Sequence, residues 1–163
     1  MINTWGVARV AISLMLFSLL LAIGPSGALA RSGDEDAARG LVESFLVAVG
    51  EGDLDALPGM FVARANIGTA SLRDGSWVTS TMTLDEWLAT LRGRTTWIRF
   101  RELVSEFTVH VEDSRMAFVR ADATVFVEGQ ARSHNIDYFT LVRVDDTWKF
   151  LSASYVAKPV AAD

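Results

Sequence analysis

The residues best suited to chemistry lie late in the sequence, in the segment Asn135-Ile136-Asp137-Tyr138-Phe139. Alternation along a strand would place Asn135, Asp137 and Phe139 on one face. If that face lines a cavity, Asp137 loses hydration and its pKa rises, so that it can donate a hydrogen bond or move a proton. Asp137 is therefore the candidate catalytic acid or base, with Asn135 as a polar neighbour that orients a ligand. The alternative is a carboxylate satisfied by Asn135, an arginine or backbone amides.

The remaining polar residue types argue against several other kinds of catalytic site. The sequence has no cysteine and only two histidines, His110 and His134, which lack His-x-x-x-His spacing. We therefore expect no dedicated zinc site and no cofactor. No nucleophile elbow marks a Ser–His–Asp triad. Strand alternation turns His134 away from Asp137, towards a face on which a second copy could pair.

Aromatic and basic side chains supply further candidates for ligand contact. Trp77 and Trp97 are expected near the rim of the cavity, where an indole ring can stack on an apolar ligand. Arg99 and Arg101 alternate with apolar residues and form a basic strand face. That face is either a solvated surface or a site for an anionic ligand group.

Helical patterns come first among the elements that must position these residues. Apolar residues recur at helical spacing from Ala38 to Val49, and Gly50-Glu51-Gly52 ends that helix. Ser32 or Asp34 is its expected N-cap. A short second helix is predicted over 53–57, before Pro58.

A third helix and two strands follow. Thr83 and Glu86 have capping-box spacing, which predicts a helix that begins there and ends at Gly93. Before it, the segments 66–72 and 76–80 are predicted strands, joined by the hairpin signal Asp74-Gly75.

Everything after residue 94 has the pattern of β-structure. Turn residues separate four strand segments, 97–112, 116–128, 133–144 and 148–156. Consecutive strands joined by tight turns predict an antiparallel meander, and segments of such length must bend strongly. Helices followed by a bent sheet predict an α+β fold in which the sheet wraps around the helices and encloses a cavity.

The N-terminal segment has the order of a secretory signal. Arg9 precedes the apolar run 10–23, and Ala28-Leu29-Ala30 offers small residues for cleavage. We expect a signal peptide over 1–30, a single domain over 31–163 and an exported protein, periplasmic or secreted. The alternative is an uncleaved anchor. Because the net charge is −5, we do not expect the protein to bind nucleic acid or an anionic membrane by electrostatic attraction.

Two parts of the sequence resemble a known superfamily. The segment 45–57, with its Gly52-Asp53 step, is similar to the opening helices of nuclear transport factor 2-like domains. The segment 136–150 is similar to their last hairpin. The resemblance implies a cone-like, cystatin-like roll of the SnoaL-like or ketosteroid-isomerase-like kind.

The resemblance also implies roles for individual positions. Phe45 stands where the isomerases have a tyrosine that donates to the oxyanion, and Thr69 stands where they have the aspartate base. Asp137 matches their third polar residue. Phe45 and Thr69 are thus expected in the ligand site, but isomerase chemistry by the known route is not expected, because a base and a donor are missing.

Three functions remain open. The first is an exported domain that binds an apolar small molecule, with Asp137 and Asn135 as its orienting polar groups. The second is an isomerase, dehydratase or cyclase that uses Asp137 as acid or base. The third is an interaction module whose convex sheet face pairs two copies as a homodimer or docks on an envelope protein.

Overall fold

The computed structural model describes the backbone of residues 26–160 and the side chains of residues 32–160. The predicted signal segment therefore lies, except for the backbone of residues 26–30, outside the described residues. The helices are α1 (Ser26–Glu51) and α2 (Leu84–Arg92), with a 3₁₀ turn at Leu57–Met60. The strands are β1 (Phe61–Arg73), β2 (Ser76–Thr83), β3 (Phe100–Glu112), β4 (Met116–Val127), β5 (Gln130–Val144) and β6 (Thr147–Pro159). Between residues 26 and 160, no helix combines the length and the apolar character that a membrane span requires.

The six strands form one curved sheet in the order β2-β1-β6-β5-β4-β3. The predicted antiparallel meander from β3 to β6 and the predicted β1–β2 hairpin are confirmed. At the Asp74-Gly75 turn both residues have positive φ, as a two-residue hairpin loop requires. The parallel pairing of β1 with β6 was not predicted, because it joins strands far apart in sequence.

An extra residue bends three of the long strands. Ser105 on β3, Arg132 on β5 and Leu151 on β6 each have no partner where the register shifts by one residue. Such β-bulges kink a strand, increase its twist and exchange the faces on which its side chains lie. The predicted strong bending therefore occurs at these defined points.

Helix α1 fills the concave side of the sheet and packs chiefly against β3. Its buried face contains Ala38, Val42, Phe45 and Leu46, as the helical spacing predicts. Phe45 lies at the centre of an aromatic cluster, with ring centroids 5.1 Å from Phe150 and 5.7 Å from Phe139. This cluster fixes the helix over one half of the sheet.

Two local predictions need correction. Neither Ser32 nor Asp34 caps α1, because the helix begins at Ser26 and already includes both. The Asp34 carboxylate instead accepts a hydrogen bond from Arg143 at 2.6 Å. The predicted short helix at 53–57 is a turn followed by the 3₁₀ turn. Pro58 lies in the first turn of that helix rather than ending one, because its fixed φ suits a helix start. Asp53 still accepts a hydrogen bond from the amide of Ala56.

The predicted capping box at the start of α2 is confirmed. The amide of Glu86 donates to the Thr83 hydroxyl at 3.3 Å, and the amide of Thr83 donates to the Glu86 carboxylate at 2.8 Å. The buried residues of α2, Leu84, Leu88 and Leu91, face the core. Helix α2 thereby closes the concave side beside α1.

The C-terminus of α1 is held against Trp97. Gly52 adopts φ +78°, its amide donates to Val49, and the amide of Asp53 donates to Ala48, which is a Schellman ending. The Trp97 indole N–H donates to the carbonyl of Gly50 at 3.3 Å. A Cβ atom on Gly52 would lie 2.8 Å from the Trp97 ring.

We predict opposite effects for two glycine substitutions in or beside α1. Gly52→Ala forces an L-residue into the left-handed region and against Trp97, and should lower the free energy of unfolding by about 1–3 kcal/mol. Gly40→Ala has open space and a helical backbone, and should raise it by about 0.5–1 kcal/mol. Urea unfolding followed by circular dichroism measures both. Equal effects of the two substitutions would show that the contact of Gly52 with Trp97 is not formed.

Candidate functional site

A cavity of about 580 Å³ lies between the two helices and the concave face of the sheet. Its walls are mostly apolar, and aromatic rings supply much of their surface: Phe45, Trp87, Trp97, Phe100, Phe139 and Tyr155. Ligand pockets of roughly 300–1,000 Å³ with apolar walls and a few polar groups are typical of small-molecule sites.

Asp137 is a buried acid in the cavity wall. Strand β5 directs Asn135, Asp137 and Phe139 inward, as alternation predicts, and Asp137 is only 4% exposed. Its Oδ2 atom has no hydrogen-bond partner. Burial raises the pKa of Asp137 to about 8, with further contributions from the charge and hydrogen bond of Glu102 and from the charge of Asp122. At neutral pH the carboxyl group is therefore mainly protonated and can donate.

Glu102 is the partner of Asp137 that the sequence analysis missed. It lies on β3, lines the cavity, and accepts a hydrogen bond from the Asn135 amide at 2.7 Å. Burial raises the pKa of Glu102, while hydrogen bonds with Asn135 and Asp137 lower it. Two adjacent carboxyl groups, one buried and one partly buried, do not both ionise easily, so the pair tends to hold one proton between them.

Small residues on β4 lie opposite the inward polar residues of β5. Strand β4 lies between β3 and β5, and its inward residues opposite Asn135 and Asp137 are Ala123 and Ala121, both fully buried. The Ser133 hydroxyl donates to the Asn135 carbonyl oxygen at 3.0 Å, which fixes the orientation of the amide.

Tyr155 adds a second polar group beside Asp137. The two residues are paired across β5 and β6, and both line the cavity. Burial raises the pKa of Tyr155, and the nearby charge of Glu102 raises it further. The phenol therefore stays protonated at neutral pH, so that its hydroxyl is available as a donor.

Residues 33–156 match the family described as "Putative lumazine-binding". The chain belongs to this family. Because the match spans most of the sequence, it confirms the resemblance to the nuclear transport factor 2-like superfamily, and the α+β cone-like roll agrees with it. No curated protein is significantly similar to the chain.

Solved structures share the fold of this family member. A nuclear transport factor 2-like protein with a cystatin-like fold from Novosphingobium aromaticivorans is 19% identical, with a TM-score of 0.63, and the match covers 80% of this chain and 86% of that one. A "putative scytalone dehydratase" from the same organism is 17% identical, with a TM-score of 0.61 and coverage of 85% and 89%. The β subunit of a "putative aromatic-ring-hydroxylating dioxygenase", also from that organism, is 12% identical, with a TM-score of 0.63 and coverage of 85% and 95%. At these identities the likeness concerns the fold alone.

The structure brings four of the six predicted site residues of this lumazine-binding-family chain to one cavity: Phe45, Trp97, Asn135 and Asp137. Thr69 and Trp77 lie outside its wall. Thr69 is paired with Tyr155 and Ser80 within the sheet, between two wall residues, Ile67 and Ser71. Trp77 lies on the edge strand β2 and is 52% exposed.

One signal in the sequence could have identified Glu102. Phe100, Glu102 and Val104 alternate with Arg101 and Leu103, so a strand that directs Phe100 inward must also direct Glu102 inward. The bulge at Ser105 hides this signal, because the inward positions change from even to odd numbers there and continue at Phe107.

We predict an abnormal titration of Asp137 that depends on Glu102. An unfolded aspartic acid has a pKa of about 3.9, whereas the folded value is raised to about 8. Between about pH 3.9 and pH 8 the folded protein therefore keeps a proton that the unfolded chain has released. The stability that Asp137 contributes is complete below about pH 3.9 and is lost as the pH rises to about 8. Carboxyl-carbon NMR measures the pKa, and urea unfolding at several pH values measures the loss.

Two substitutions on β3 serve as test and control. Glu102→Gln removes a neighbouring charge and should lower the pKa of Asp137 while burial keeps it above 3.9. Glu106→Gln, at an exposed position on the same strand, should leave it unchanged. A midpoint near 4 in the unsubstituted protein would contradict the buried site.

Proposed function

We propose that this protein binds a small, mainly apolar molecule in the cavity, oriented by a hydrogen bond from Asp137. The observation that carries the proposal is the free Oδ2 atom of a carboxyl group that is only 4% exposed and faces an apolar space. A buried polar atom without a partner costs free energy, about 1–3 kcal/mol. A ligand that supplies the missing partner recovers this energy on binding.

The chemistry of the wall indicates which molecules fit. Asp137 is mainly protonated up to about pH 8. When its proton lies on the partnerless Oδ2 rather than in the hydrogen bond with Glu102, it suits a ligand with an acceptor atom, such as a carbonyl oxygen or a ring nitrogen. The aromatic walls favour a flat ring system. The description of the family suggests lumazine, a fused two-ring heterocycle with carbonyl acceptors, as the first compound to try.

Acid–base catalysis is the second candidate, favoured by the adjacent carboxyl groups of Glu102 and Asp137. Isomerisation, dehydration and cyclisation each need one group that gives a proton and one that accepts it. A pair whose pKa values are pushed apart can divide these roles. The chain has Phe45 and Thr69 at the positions of two isomerase residues, so such chemistry would depend on this pair alone.

We predict that Asp137→Leu weakens the binding of two probes, lumazine and neutral 6-acetyl-2-naphthamide. Loss of the donor should cost about 3–10-fold in Kd. Asp137→Asn keeps a donor and should bind within about twofold of the unsubstituted protein, but it should lose the drop in affinity expected above about pH 8. Calorimetry, with quenching of Trp87 and Trp97 fluorescence, measures Kd.

The same variants separate binding from catalysis. If the unsubstituted protein converts either probe to a product over hours and Asp137→Asn does not, the protein is an enzyme. The Asn amide can donate a hydrogen bond but cannot give up and take back a proton as a carboxyl group does. Tight binding without product identifies a binding protein. Glu106→Gln is the exposed-acid control. No binding of either probe, or equal binding by Asp137→Leu, would reject the role of Asp137.

We also propose that the protein acts outside the cytoplasm after removal of residues 1–30. The sequence order of Arg9, an apolar run and Ala28-Leu29-Ala30 supports this proposal. Mass spectrometry of protein from the periplasmic or secreted fraction should give a chain that begins at Arg31. A chain that retains residues 1–30 in a membrane fraction would favour the anchor instead.

A further inference from the structure

The cavity has a basic rim opposite its acidic interior. Arg94 and Arg132 both line the cavity and both are exposed, so they lie at its opening, whereas Asn135 and Asp137 are buried in its wall. Neither arginine forms an ion pair with a carboxylate anywhere in residues 32–160. Two uncompensated guanidinium groups thus stand at the rim of an apolar pocket.

The position of Arg132 results from a β-bulge. Val125 pairs with Ser133 and Phe126 pairs with Ala131, so Arg132 is the extra residue on β5. In a regular strand Arg132 and Ser133 would point to opposite faces, yet both line the cavity. The carbonyl of Arg132 accepts a hydrogen bond from the amide of Val160, which anchors the bulge. A bulge beside a pocket commonly redirects a side chain towards it.

Arg94 is oriented by a separate contact. Its guanidinium carbon lies 5.2 Å from the centroid of the Trp97 ring, and Trp97 is itself fixed by its hydrogen bond to Gly50. A cation–π contact of this kind reduces the freedom of the side chain while leaving its N–H donors available. The charges of Arg94 and Arg73 also reach Tyr155, so the rim acts on the interior of the cavity.

We propose that the ligand is an amphipathic anion, whose apolar body fills the cavity and whose carboxylate or phosphate group binds Arg132 and Arg94 at the rim. This inference rests on the proposed binding function and adds to it a second binding point, the two arginines at the rim. Guanidinium groups are suited to planar or tetrahedral anions because their N–H donors form a fixed fork. The basic face predicted at Arg99 and Arg101 is a different surface. Arg99 pairs with Glu51 at 3.3 Å, and Arg101 alternates with the inward-facing Glu102.

Matched probes test the binding of the ligand's anionic group separately from the binding of its apolar body. We would compare 6-acetyl-2-naphthoate with 6-acetyl-2-naphthamide, which has the same shape without the charge, by calorimetry at pH 7. The carboxylate should bind about 5–20-fold more tightly, as expected for hydrogen bonds to a charged group. 6-Acetyl-2-naphthyl phosphate then distinguishes a preference for phosphate from one for carboxylate.

Arginine substitutions locate the effect. Arg132→Gln should weaken carboxylate binding about 3–10-fold and leave carboxamide binding within about twofold, whereas Arg132→Lys should keep part of the preference. Arg94→Gln should act in the same direction. Arg101→Gln, an exposed arginine on β3 that does not line the cavity, is the matched control. Unchanged thermal midpoints show that the variants remain folded.

Three outcomes are distinguishable. A carboxylate preference that Arg132→Gln removes supports the inference. If the carboxylate and the carboxamide bind equally well and Asp137→Leu weakens both, the anion site at the rim is rejected and the proposed function still holds. No binding of either probe overturns both.

Discussion

A long strand that must cover a helix has to bend, and in this protein the bend comes from single inserted residues. Each insertion at Ser105, Arg132 and Leu151 also exchanges the faces of the strand. The inward positions of β3 therefore include Glu102 before the bulge and Phe107 after it. The curvature that creates the cavity and the polarity of its wall have the same structural origin.

Burial of two carboxyl groups is costly, and the fold reduces the cost in ways that favour ligand binding. Ionised carboxylates in an apolar wall would each need a compensating charge, and no arginine or lysine forms an ion pair with Glu102 or Asp137 within residues 32–160. Protonation removes much of the penalty, and the Asn135 amide satisfies one oxygen of Glu102. Oδ2 of Asp137 remains without a protein partner, which costs free energy and leaves this atom available to a ligand.

How far the sequence could predict this structure depended on the range of the interactions involved. The Thr83 capping box, the Asp74-Gly75 hairpin and the inward face of Asp137 are set by residues a few positions apart, and all three agree with the structure. The pairing of β1 with β6 and the positions of the bulges depend on contacts across the whole sheet.

The site was predictable to the same extent. Asp137 and Asn135 lie on the part of β5 beyond the bulge at Arg132, where alternation is intact, so a local pattern identified them. Glu102 and Arg132 lie beside or at bulges, where alternation fails, and a local pattern could not place both correctly. Trp77 was expected near the rim from its position beside a hairpin, but the curvature of the sheet leaves its edge strand apart from the cavity.

The arrangement of charge in the cavity follows from where each strand enters it. Strand β5 lines the open end of the cavity with Arg132 and continues inward through Asn135 and Asp137, so its cavity-lining side chains change from a basic group to an acid along one strand. A neutral apolar ligand would use only the inner part of this gradient. A molecule with an acceptor at one end and an anion at the other would match both parts, with each group placed where the protein offers a complementary donor.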